Sequence, residues 1–236
     1  FKPIKPMITF EQPVMEQALL VTHAPLFYGA MPNLGLYSQP DGPFPNPSEL
    51  MPAGKIEEAQ ESHELSVEAA VKDIVFIGSC MIECGADGIN IDSTGAAGDA
   101  DFLAALLATQ QLKEKYPNTC IEIGMAGEFI LGMHAGLEFE GTRLAGLYPH
   151  DQVKLVEKAG GTIYGPVVNT NTTQSTPWNV ARVVTFTKAV GEVAKIPIHA
   201  NMGMGVGAVP TCDHPPIDTV SRASKAMVEI CRLDGL

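Results

Sequence analysis

Three short segments alternate an apolar residue with one able to do chemistry: Ile89-Asn90-Ile91-Asp92, Ile121-Glu122-Ile123 and Ile198-His199-Ala200-Asn201. Successive side chains of a β-strand point to opposite faces. Asn90, Asp92, Glu122, His199 and Asn201 would therefore share one face, with the apolar residues on the other. Carboxylates, an imidazole and amides on one surface can stabilise a cation and move protons. Asp92, Glu122 and His199 are accordingly the candidate catalytic residues. Asn201 is a candidate for binding substrate, joined by Tyr28, Tyr164 and Asn169, which lie in or next to other strand-like segments. The competing reading is an internal polar layer whose members pair with one another. A metal held by Asp92, Glu122 and His199 is chemically possible. Their shared face comes from the fold and not from a ligand motif, so no resident metal is expected.

Other motifs point away from common chemistries. Gly203-x-Gly205-x-Gly207 follows a strand-like segment, but Pro210, Pro215 and Pro216 stand where a dinucleotide fingerprint would open a helix. A βα loop beside the site is the simpler reading. No Gly-rich loop ends in a Walker Lys, no Gly-x-Ser-x-Gly and no His-x-x-x-His occurs, and Lys195 precedes its strand, so Schiff-base chemistry at a strand end is not supported. Asn169-Thr-Asn-Thr172 offers hydrogen-bonding side chains, with a plain loop as an equal reading.

The elements that must position these residues recur in a regular order. A helix is expected over 54–84, ended by Gly85, then a strand over 88–92. Asp99 reads as the N-cap of a helix to about Tyr116, with Phe102, Leu103, Leu106 and Leu107 on its apolar face and Pro117 beyond it. A strand over 120–124, a long insertion and a helix near 149–159 follow. A strand over 162–168, a helix started by Thr176-Pro177, a strand over 197–201 and a helix from about Pro216 to Arg232 complete the pattern. Asp234-Gly235-Leu236 reads as the beginning of one more strand. Repeated βα units require parallel strands. Strands buried on both faces should be almost continuously apolar, and these are not. A (β/α)₈ barrel of the TIM type, with polar groups turned inward, fits better than a doubly wound sheet. Residues 1–52 form a Pro/Gly-rich segment holding a first strand near Leu26–Ala30, and 53–236 hold the βα repeats of a single, incomplete barrel domain.

Composition narrows the classes further. Of 236 residues, 45% are hydrophobic and 18% charged, enough for a large core and too apolar for a disordered chain. A net charge of −12 with no basic run argues against nucleic acid. No apolar stretch is long enough to span a membrane. Five scattered Cys fit reduced thiols in a cytoplasm better than a disulfide framework, and Cys80 and Cys84 read as small core residues of one helix. The chain begins with Phe1 and stops at Leu236 directly after an apolar helix, so a fragment of a longer protein is expected.

Several long segments resemble, in order, the dimethylamine methyltransferases of methylotrophic methanogenesis: LFYGAMP (26–32), YSQPDGPFPNP (37–47), ADGINIDSTGAAGD (86–99), EIGMAGEFILGMH (122–134), LAGLYPH (144–150), GPVVNTNT (165–172), MGMGVG (202–207) and PPIDTVSRASKAMVEI (215–230). Residues 55–84 match least. The resemblance implies a (β/α)₈ barrel that transfers a methyl group from dimethylamine to a cognate corrinoid protein. It also implies a homo-oligomer, no cofactor bound by this chain, and cobalt carried by the partner. That family reads an in-frame amber codon as pyrrolysine, directly after the segment resembling 228–236. The present chain is then expected to lack the electrophilic imine and to be inactive alone. The alternatives are a remnant without catalysis and a barrel lyase or aldolase unrelated to methylamines.

Overall fold

The computed structural model describes residues 34–132, 136–166, 177–200 and 217–236. A 3₁₀ turn (Leu34–Tyr37) and a short helix, α1 (Pro47–Leu50), break up the Pro-rich segment. The long helix α2 (Ile56–Glu83) leads to β1 (Gly88–Thr94), α3 (Asp99–Lys115) and β2 (Cys120–Met125). The insertion carries a small hairpin, β3 (Glu138–Phe139) and β4 (Thr142–Arg143), before α4 (Pro149–Ala159) and β5 (Ile163–Gly165). Helices α5 (Pro177–Val193) and α6 (Ile217–Cys231) follow. The first expected strand, near Leu26, and the start signal Thr176 lie outside the described residues.

β1 pairs parallel with β2, aligning Ile89 with Ile121, Asn90 with Glu122 and Ile91 with Ile123. β2 pairs parallel with β5, aligning Glu122 with Ile163, Ile123 with Tyr164 and Gly124 with Gly165. Single parallel bridges then join Tyr164 to Ile198 and His199 to Gly235. The order along the sheet is the order along the chain. A doubly wound sheet would reverse direction at a switch point, and no reversal occurs among the described residues. The described parts of the expected strands over 88–92, 120–124, 162–168 and 197–201 thus follow one another across the sheet in sequence order. β5 is shorter than the expected 162–168, and Asp234–Leu236 does begin a further sheet position. Closure into a barrel is not seen among the described residues.

Alternation decides what the sheet buries. Ile89, Ile91, Ile121, Ile123, Ile198 and Ala200 are all buried and belong to one cluster with Phe102, Leu106 and Leu112 of α3 and Val153 and Val156 of α4. Each such Ile contributes on the order of 1.5–3 kcal/mol by leaving water. On α2 the buried residues Val67, Ala70, Val71, Ile74 and Gly78 form an i, i+3, i+4 stripe against α3. Cys80 and Cys84 fall off that stripe and are exposed, which corrects the expectation that they are core residues. The stripe continues instead through the half-buried Met81 and Ile82.

Helix ends follow their local chemistry, with one correction. α3 carries Asp99 and Asp101 in its first turn and Lys113 and Lys115 in its last, complementing the helix dipole. Its N-cap is Gly98 at φ 95°, and Asp99 is the first helical residue. The capping is done from inside the helix: the Asp101 carboxylate accepts the Ala97 N–H at 2.5 Å. Asp99 gives its own N–H to the Leu131 carbonyl. α4 begins at Pro149 and ends at Gly160 in the left-handed conformation, φ 91°.

Tyr164 sits on the helix side of the sheet because it pairs with Ile123. It is fully buried, and its hydroxyl donates to Gln152 Oε1 at 2.7 Å. Gln152 Nε2 in turn donates to the Leu147 carbonyl at 2.8 Å, tying α4 to the insertion. Burial raises the phenol pKa well above its usual value, so Tyr164 remains a neutral donor. Tyr164→Phe is expected to leave Gln152 Oε1 unpaired and to lower stability by roughly 1–3 kcal/mol in urea unfolding. An unchanged unfolding midpoint would show that the bond contributes nothing.

Candidate active site

The face opposite the isoleucines carries Asn90, Asp92, Glu122, Gly124, Gly165 and His199. Register places Asn90 beside Glu122, and Gly124 beside Gly165. His199 Nδ1 lies 2.7 Å from Glu122 Oε1. A carboxylate only accepts hydrogen bonds, so with Glu122 ionised the Nδ1 atom carries the hydrogen and Nε2 is the acceptor nitrogen. The Glu122 side chain is 16% exposed and that of His199 37%, a half-sheltered pair with access from one side. Asn90 is exposed and Asp92 half-buried.

Glycines let the side chains of this face lie close over the backbone. A Cβ built on Gly124 would stand 2.9 Å from Asp92 Oδ1 and 3.4 Å from Asn90 Oδ1. One on Gly165 would stand 3.3 Å from Glu122 Oε1 and 3.4 Å from the His199 carbonyl oxygen. The residues between the two carboxylates therefore have no side chains, and the floor of the site is backbone. Glycine inside a strand signals a close approach of this kind, and that signal was present in Ile123-Gly124 and Tyr164-Gly165 but had no partner until the register was known.

Of the sequence candidates, Asp92, Glu122 and His199 share this face. Tyr164 is absent from it: its side chain lies in the core on the opposite side, so its assignment as a substrate-binding residue is corrected. Tyr28, Asn169 and Asn201 lie outside the described residues. Among the described residues no three His, Cys, Asp or Glu side chains are grouped as a metal site. No described helix is long and apolar enough to cross a membrane.

The first turn of α3 holds a further acid that sequence reading passed over. Asp101 is completely buried, and desolvation pushes its pKa up to about 7 against the pull of the Ala97 and Leu34 backbone N–H groups. The folded state thus holds a proton that the unfolded chain releases near its ordinary carboxyl pKa. The stability this lends is present at low pH and is lost as pH rises toward 7. Asp101→Asn keeps an acceptor for Ala97 and removes the charge. Relative to the wild type, the variant is expected to gain stability between about pH 5 and about pH 8, by on the order of a few kcal/mol. Urea unfolding of both proteins at the two pH values checks this, and a pH-independent difference would contradict it.

The family model described as dimethylamine methyltransferase (Dimeth_PyL) matches residues 1–236. The chain belongs to the dimethylamine methyltransferase family.

Proposed function

We propose that this chain supplies the amine-binding wall of an enzyme that moves one methyl group from dimethylamine to the cobalt of a cognate corrinoid protein, in methanogenesis from methylamines. The observation that carries the reading is the pairing of Glu122 with His199 on the face that also carries Asp92, with Gly124 and Gly165 letting these side chains lie close over the backbone. The sequential parallel sheet supports a (β/α)₈ barrel, whose sites form at the C-terminal ends of the strands. Asp92 lies near that end of β1.

The chemistry asks for such a wall. Dimethylamine is a cation near neutral pH, and its nitrogen leaves carbon poorly unless it keeps positive character. Asp92 and Glu122 accept its N–H groups and hold the nitrogen against the sheet, so that a methyl group points away from the wall. Fixing that geometry removes much of the orientational cost of the transfer. The C–N bond breaks with its electron pair remaining on nitrogen, and the methyl carbon passes to cobalt(I) of the partner, leaving monomethylamine. Glu122 and His199 hold the proton that accompanies the nitrogen, with Nδ1–H on the carboxylate and Nε2 free to exchange. A pyrrolysine encoded beyond Leu236, as the resemblance implies, would supply an electrophilic imine to which the amine adds.

The test is dimethylamine-dependent methylation of the corrinoid protein by the enzyme translated through the codon after Leu236. Methyl transfer from dimethylamine in preference to mono- or trimethylamine supports the reading. Turnover by residues 1–236 alone would remove the pyrrolysine from it, and no transfer by the read-through protein would remove the methyltransferase.

A further inference from the structure

On the helix side of the sheet, a cavity of about 80 Å³ lies between α2 and the first turn of α3. Its wall includes Gln60, His63 and Glu64 of α2, Asp99 of α3, and Gly136 of the insertion. Asp99 is 1% exposed, and its Oδ2 atom has no hydrogen-bond partner among the described residues. A buried carboxylate oxygen left unpaired carries a substantial desolvation cost. Among the described residues the wall holds two carboxylates and neither Lys nor Arg. His63 does not balance them: burial lowers its pKa below the usual value, with Asp99 opposing that only in part, so the imidazole is neutral near pH 7. The pKa of Asp99 is raised, because burial outweighs the pull of the backbone N–H groups of Asp99, Ala100 and Leu137. Among the described residues no metal-coordinating group forms here. The fitting occupant is then a small cation that donates N–H bonds.

We propose that this cavity binds a small primary ammonium ion, either ammonium itself or methylammonium, with an N–H donated to Asp99 Oδ2 and with the Gln60 amide and the Glu64 carboxylate at its rim. The site is separate from the strand face and does not depend on the methyl-transfer reading. Its size admits an ammonium centre with at most a small substituent, and its chemistry requires N–H groups that a quaternary ammonium lacks.

Calorimetric titration of the protein at constant ionic strength tests this with ammonium chloride, methylammonium chloride, potassium chloride and tetramethylammonium chloride. Saturable binding of one or both N–H donors is expected, with neither potassium nor tetramethylammonium replacing them. Which of the two binds more tightly identifies the source. Asp99→Asn is expected to weaken binding at least about tenfold, and Glu229→Gln, at an exposed position of α6, to leave it unchanged. Because Asp99 opens α3, Gln60→Leu provides a second variant on the other wall, expected to weaken binding while thermal unfolding stays near the wild type. Absence of saturable binding, equal binding of potassium or tetramethylammonium, or undiminished binding in both cavity variants would each overturn the proposal.

Discussion

Asp92→Asn is expected to lower methyl transfer from dimethylamine by on the order of 10²-fold or more, the loss seen when one preorganised electrostatic group is removed. The substitution preserves shape and hydrogen-bonding reach and deletes the charge that would face the ammonium. A purely structural Asp92 would instead bind the turn after β1. Much of that turn is served elsewhere: Asp101 takes the Ala97 N–H, the Gly98 N–H goes to the Gly95 carbonyl, and the Thr94 hydroxyl to the Ile91 carbonyl. The rate is therefore expected to fall by far more than any accompanying change in melting temperature explains. A variant that loses stability but keeps its rate would make Asp92 structural, and one that keeps both would remove it from the site.

Glu122→Gln is the second substitution with a large expected effect. It retains an acceptor for His199 Nδ1, so the contact at 2.7 Å can survive, but the carboxylate charge is lost. Methyl transfer is expected to drop by about 10- to 10³-fold. His199→Gln should lower it as well. The two should be strongly non-additive, because either change disables the same proton-holding unit. Rates of the two single variants and the double variant measure the coupling. Additive losses would show that the imidazole and the carboxylate act independently.

Much of the scaffold was legible because its signals are local. Alternation in Ile89–Asp92, Ile121–Ile123 and Ile198–Asn201 fixed which residues share a face, since a slip of one residue would bury every acid. Helix α4 was readable from Pro149 at one end and Gly160 at the other. What was not legible depended on contacts distant in sequence. Thr162-Ile163-Tyr164-Gly165 has no apolar–polar alternation, so nothing local set its phase. Only pairing with β2 sends Tyr164 to the helices and Gly165 to the site. Asp99 looked like a cap because its side chain suits one, but the Leu131 carbonyl takes its N–H and draws it into the helix. Cys80 and Cys84 have helical spacing that says they share a face without saying which. The stripe through Ile74 and Gly78 turns that face to solvent.

The strand-face account meets its most direct test in a crystal structure of the full-length, read-through enzyme with dimethylamine bound. The account predicts the amine nitrogen on the sheet face over Gly124 and Gly165, within hydrogen-bond distance of the Asp92 or Glu122 carboxylate. An amine held elsewhere, with both carboxylates turned away from it, would contradict the account.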